Sequence, residues 1–97
     1  MDTKFEWDEE KSLRNKLKHG ISFDIAQKVF EDPFALSVQD RHENGEDRWQ
    51  TLGMIENILL LLVAHTVIIS EDSEVIRIIS ARRADRNERI RYEKQAY

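Results

Sequence analysis

The chain has no cysteine, which removes disulfides, thiolate metal sites and a cysteine nucleophile, and fits a reducing compartment. Its one proline, Pro33, and its isolated glycines Gly20, Gly45 and Gly53 leave no glycine-rich phosphate loop and no flexible linker. No serine sits in a nucleophile elbow. The longest apolar stretch, Ile58 to Ala64, falls far short of the roughly 18 residues a helix needs to cross a bilayer. The start, Met1 to Asp8, has no apolar segment behind a basic end, so a cytoplasmic protein without membrane contact is expected. His19, His42 and His65 share no helical metal-pair spacing, and neither a metal nor a cofactor is expected.

What is present is charge. Of 97 residues 35% are charged and 40% hydrophobic, the composition of one small globular domain spanning 1–97. The net charge of −4 argues against nucleic acid only if it is evenly spread, and it is not. Lys11 to His19 holds Lys11, Arg14, Lys16 and Lys18 with no acid, and Arg82 to Lys94 holds six basic residues against Asp85, Glu88 and Glu93. Acids gather in Glu31 to Asp47 and in Glu71 to Glu74. A folded molecule with two such segments is bipolar, although solvated helix faces account for the pattern equally well.

Lys4 to Trp7 alternates as a short edge strand does, and Asp8 followed by Glu9 and Glu10 reads as a helix start. That helix has a thin apolar stripe and ends near His19, where Gly20 supplies a left-handed stop. Ser22 opens a second helix through Phe23, Ala26 and Phe30, ended by Asp32-Pro33. The period then changes to two, over Phe34 to Val38 and, past a polar loop at Asp40 to Asp47, over Arg48 to Ile55. After a tight turn at Glu56-Asn57, Ile58 to Ile69 reads as a central strand, Val75 to Ala81 as another, and Arg82 onward as a helix with Ala84, Ile90 and Ala96 as weak contacts. The fold class is α+β: an antiparallel sheet with two N-terminal helices and one C-terminal helix.

The chemistry left open uses cations and imidazole directly, and metal-independent RNA cleavage is its main example. Lys18 and His19 bring phosphate-binding and proton-transfer groups together at a helix end, while Arg48, Arg77 and Arg82 offer guanidinium forks for phosphate oxygens. Ordinary explanations compete with each. Lys18 and His19 complement a helix terminus, Arg48 can pair with Glu46 or Asp47, and Arg77 can face a charged strand partner. His65, inside an apolar strand, fits a hydrogen-bonded core imidazole better than a catalyst.

Segments in order along the chain carry a resemblance: Phe5-Glu6-Trp7-Asp8, Lys18-His19-Gly20, Ser22-Phe23-Asp24, Val29-Phe30-Glu31-Asp32-Pro33, Glu46-Asp47-Arg48-Trp49, Leu52-Gly53, Arg77 through Arg82, and Glu88 through Glu93. Together they resemble the BrnT toxins of bacterial type II toxin-antitoxin pairs over nearly the whole chain. The resemblance implies a RelE-like fold, ribonuclease activity that arrests translation and growth, and neutralisation by a BrnA-type antitoxin whose ribbon-helix-helix domain binds operator DNA. It implies an assembly with two toxins, RNA as substrate, and operator DNA reached only through the antitoxin. By position it puts the basic site on Lys18, His19, Arg48 and Arg82, converging in one cationic pocket, with Arg77, Arg89 and Tyr92 as substrate contacts. Where relatives carry an Arg shortly after the Thr that follows the long apolar strand, this chain has Val67, Ile68 and Ile69 after Thr66. Two other readings stand beside the ribonuclease: a non-catalytic interaction module acting as co-repressor, and a small domain that sequesters RNA without cutting it.

Overall fold

A computed structural model describes residues 2–95, so Ala96 lies outside the described residues. Strand β1, Asp2–Glu6, leads to Asp8, whose side chain accepts from the amides of Glu10 at 2.9 Å and Lys11 at 3.2 Å and so caps helix α1, Glu9–His19. The Lys11 amide is the main cause that holds the Asp8 carboxyl below its ordinary range. Gly20 closes the helix with φ 76°, its amide donating to the Lys16 carbonyl at 2.8 Å.

The second helix is shorter than its spacing predicts. Helix α2 covers only Phe23–Ala26 before the chain tightens into a 3-10 helix over Gln27–Glu31. Ser22 stands at the cap position without a side-chain cap bond, and the Ser12 hydroxyl of α1 takes over, accepting from the Phe23 amide at 2.9 Å.

Strands β2, Leu36–Glu43, and β3, Glu46–Ile55, absorb the expected polar loop at 40–47. Only Asn44 and Gly45 turn, with φ 53° and 78°, and a pair of positive φ values gives the two-residue hairpin whose twist suits paired strands. Glu56 and Asn57 turn in the same way, with φ 53° and 59°. Strand β4, Leu59–Ile69, follows, then β5, Ser73–Arg83, which runs past the expected helix start; helix α3 spans Arg86–Gln95. Its start is set by a reciprocal cap: the Glu88 amide donates to Asp85 Oδ1 at 2.8 Å and the Asp85 amide to Glu88 Oε1 at 2.9 Å.

The sheet order is β1-β5-β4-β3-β2, with the apolar β4 in the centre. The expected antiparallel sheet needs one correction: β1 runs parallel to β5, and the sheet is mixed. Alternation in a short strand carries no direction, and the parallel register sets Phe5 beside Ile76, with its ring 5.3 Å from that of Phe30. Helices α1 and α2 and the 3-10 helix cover one face, where Phe23, Ala26 and Val29 pack on Leu61, Val63 and Ile78. Gly53 permits this approach, since a Cβ there would lie 2.7 Å from Val29 Cβ. Helix α3 covers part of the opposite face, packing Tyr92 on Leu52, Leu60 and Leu62. No helix among the described residues is long and apolar enough to cross a membrane.

Candidate functional site

Helix α1 is turned against its own polarity. It buries Ser12 and Asn15, while Leu13 and Leu17 are 61% and 88% exposed. The reason lies at the edge of β5. Strand β1 pairs with β5 only from Ser73 to Arg77, so the later part of β5 has a free side. The Asn15 amide completes it, donating from Nδ2 to the Ala81 carbonyl at 2.8 Å and accepting at Oδ1 from the Ala81 amide at 3.2 Å. Nδ2 also donates to the Ile21 carbonyl at 2.7 Å. A buried amide with both ends satisfied pins α1 here more firmly than its thin apolar stripe could.

One turn after Asn15, His19 comes to lie over the same stretch of β5. It lines a cavity of about 130 Å³ with Gln50, Leu62, Ala64, Ser80 and Arg82. The floor is the sheet face opposite the α1 layer: Gln50 pairs with Ala64 and Ala64 with Ser80, while Arg82 lies beside Leu62.

Arg82 is held from the other side. Its Nη1 and Nη2 donate to the two oxygens of Glu88 at 2.8 and 2.9 Å, and Nη1 also donates to the Arg83 carbonyl at 3.2 Å. This leaves Nε–H and one Nη2–H, the side-on fork of the guanidinium, without a partner among the described residues. Its hydrogen bond to Glu88 raises the Arg82 pKa further, and the same bond is the main cause that lowers Glu88. The pair stays charged across the physiological range.

The other predicted site residues divide. Arg48 lies on the same sheet face as Arg82, beside Thr66, which pairs in turn with Arg77. Arg77 shares this face because β5 carries an extra residue at Ile79, opposite the step from Ala64 to His65. From the register, Arg48 and Arg82 are separated by about 13 Å along the strands and about 10 Å across them, so they border one open face and do not share a pocket. Each arginine has a carboxylate neighbour: Arg48 meets Glu46 at 3.9 Å, Arg77 meets Glu6 at 3.4 Å and Arg89 meets Glu93 at 4.0 Å. The Arg77 and Arg89 pairs are exposed and the Arg48 pair half-buried, and at these distances all three are loose and easily exchanged for another anion. Arg48 Nε is buried with no partner. Lys18 is exposed and does not line the cavity. Tyr92 is buried and donates its hydroxyl to Asp32 Oδ2 at 2.6 Å, so it anchors α3 and does not face the open surface.

His65 is a core imidazole, 3% exposed, its ring 4.9 Å from that of Phe30. Its Nδ1 faces the Thr66 carbonyl at 3.3 Å and donates to it, so Nε2 accepts from the Thr51 hydroxyl at 2.7 Å, which accepts in turn from Ser37 at 2.7 Å. Burial lowers its pKa, against the raising effect of the Thr66 bond, and keeps it neutral. Sequence reasoning missed Asn15, Gln50 and Ser80, and met Glu88 only inside a motif. The Asp85-to-Glu88 spacing was the available signal for its role. Among the described residues no three His, Cys, Asp or Glu side chains gather to hold a metal ion.

Comparison with known proteins adds three findings. Residues 7–88 match the family model described as the ribonuclease toxin BrnT of type II toxin-antitoxin systems. No curated protein matches the chain. Among solved structures, the crystal structure of the Brucella abortus ribonuclease toxin BrnT is similar, with a TM-score of 0.66 and 24% identity, covering 89% of this chain and 100% of that one; at this identity the likeness bears on the fold.

Proposed function

The chain belongs to the BrnT family of ribonuclease toxins from type II toxin-antitoxin systems, and from that premise we propose that it cleaves RNA without a metal ion, at the cavity between His19 and Arg82. The observation that carries this reading is that the two residues line one small cavity while Glu88 occupies only the end-on fork of the guanidinium. In the reaction the 2′-oxygen bonds to the adjacent phosphorus as its proton passes to a base, and the 5′-oxygen leaves with a proton from an acid. His19 supplies the imidazole of the cavity, a group able to take or give a proton. The side-on fork of Arg82 offsets the charge that develops on the phosphoryl oxygens. Arg48 and Arg77 hold flanking phosphates of a strand crossing the open face, Lys18 and Arg89 add outer phosphate contacts, and Tyr92 supports the face by fixing α3.

In this reading the fold is used in the RelE-like manner, and cutting message in the cytoplasm arrests translation and growth. A BrnA-type ribbon-helix-helix antitoxin neutralises the protein in an assembly with two toxins, and operator DNA is touched only through that antitoxin. The test is cleavage of single-stranded RNA in excess chelator. Wild type should cut, and folded His19→Ala and Arg82→Ala proteins should each lose about a hundredfold in rate. Undiminished cutting by both variants removes the site, and loss of cutting on chelation removes the metal-independent mechanism. Intact RNA, from a protein that still tightens operator binding by its antitoxin, favours the co-repressor reading.

A further inference from the structure

The sheet face that carries α1 and α2 is open beyond Phe30, where a second cavity of about 360 Å³ lies across β3, β4 and β5. Its floor is apolar, formed by Trp49, Val67 and Ile76, and Ile69, 66% exposed, stands among its lining residues. The polar groups beneath it are already satisfied, since Ser37, Thr51 and His65 bond to one another. Asp47 on β3 and Glu74 on β5 both line the rim, Asp47 bonded to His42 Nδ1 at 2.7 Å and accepting from Gln39 Nε2 at 3.1 Å. Glu71 and Asp72 lie in the adjoining turn, and no Lys or Arg is among the lining residues.

We propose that this cavity seats a cationic peptide segment of a partner protein, with one large apolar side chain on the Trp49, Val67 and Ile76 floor and flanking Lys or Arg beside Asp47 and Glu74. Charge decides the class of occupant. RNA brings phosphates against carboxylates, so the rim repels it even though Trp49 offers a ring for stacking, whereas a basic segment gains both steering and an anchor. The volume is at the small end of the roughly 300–1,000 Å³ of ligand sites, which suits a single anchoring side chain. Because this face lies opposite Arg48, Arg77 and Arg82, peptide and RNA occupy different surfaces. The inference therefore stands independently of the cleavage reading.

The test is fluorescence anisotropy of the full chain with a short labelled peptide carrying a central Trp between paired lysines. One control peptide replaces the lysines with glutamates, and another replaces the Trp with Ser. The basic peptide should bind, and either control should bind at least about tenfold more weakly. Glu74→Lys, at a half-buried position on β5, should produce the same loss, as should Val67→Glu, once circular dichroism shows each protein folded. Equal binding of all three peptides, or binding unchanged in both protein variants, overturns the proposal.

Discussion

The hydroxyl of Tyr92 and the carboxylate of Asp32 meet at 2.6 Å, and the same carboxylate accepts from the amides of Met54 at 2.8 Å and Phe34 at 2.9 Å. One side chain thereby ties α3 and β3 to the turn after the 3-10 helix. Burial acts to raise the Asp32 pKa but is outweighed by the bonds from Tyr92, Met54 and Phe34, which leave it below its ordinary value. Tyr92 moves the other way, pushed up to about 12 by burial first and by Asp32 second.

Tyr92→Phe keeps the ring on Leu52, Leu60 and Leu62 and deletes only the bond to Asp32. Stability should fall by about 1.5–3 kcal/mol, the usual worth of a hydrogen bond to a charged group, as read by urea denaturation. The folded chain holds the phenol proton to higher pH than the unfolded chain, so this contribution is complete below pH 10 and fades as pH climbs towards about 12. The variant should lack that alkaline loss, and identical slopes in the two proteins would refute the linkage.

Acid titration tests the partner. The Asp32 pKa is lowered by folding, so its contribution is present above the unfolded value of 3.8 and disappears as pH falls through the lower folded value. Asp32→Asn should be less stable at neutral pH, and its melting temperature should vary less with pH in that acid window than the wild type's.

Asn15 fills an edge position that needs a donor and an acceptor together. Asn15→Ala leaves the Ala81 amide and carbonyl and the Ile21 carbonyl without their bonds, at a cost of about 3 kcal/mol. Asn15→Asp should do no better, because a carboxylate cannot donate to either carbonyl. Chemical denaturation of the two variants checks this, and the RNA cleavage rate of the folded fraction checks whether His19 loses its seat.

Arg82→Lys keeps a positive charge but replaces two planar forks by one ammonium, whose three donors cannot grip Glu88 and a phosphate by two parallel bonds each. Cleavage should fall by about a hundredfold with little change in melting temperature. Lys18→Ala, changing an exposed charge outside the cavity, should give a smaller loss that vanishes at high salt.

Gly53→Ala places a Cβ 2.7 Å from Val29 Cβ and 2.8 Å from the Val29 carbonyl oxygen. The 3-10 helix must lift off β3, which should cost about 1–3 kcal/mol by guanidinium denaturation. An unchanged midpoint would mean that the two elements have room to part.

What the sequence made legible depends on neighbours along the chain: the Asp8 cap, the Gly20 stop, the Glu56-Asn57 turn and the apolar β4. What it concealed depends on distant partners. The direction of β1 is set by β5, and the buried side of α1 by a backbone edge that only Asn15 can complete. The facing of Arg77 is set by one extra residue in β5. The Asn44-Gly45 hairpin did carry a local signal, but the charges around it read as a loop, because β2 is solvated on both faces and needs no apolar alternation. For the candidate site, composition pointed to cations and imidazole, and the ordered motifs put it on Lys18, His19, Arg48 and Arg82, of which His19 and Arg82 line one cavity. Neither could show that Glu88 aims the guanidinium, since that ion pair is made only when α3 folds back on β5.

The Asn15 amide occupies the place another strand would take beside Ala81. On the opposite rim, β2 breaks its ladder at Asp40 and presents Arg41 and Glu43, features that discourage strand addition. The remaining border strand, β1, is only five residues long and carries Asp2, Lys4 and Glu6, so among the described residues no border of the sheet is an easy template for recruiting a further copy by β-augmentation. Self-association of this chain is steered away from ribbon-like, amyloid-prone growth and towards contacts between faces, where exposed side chains choose the companion.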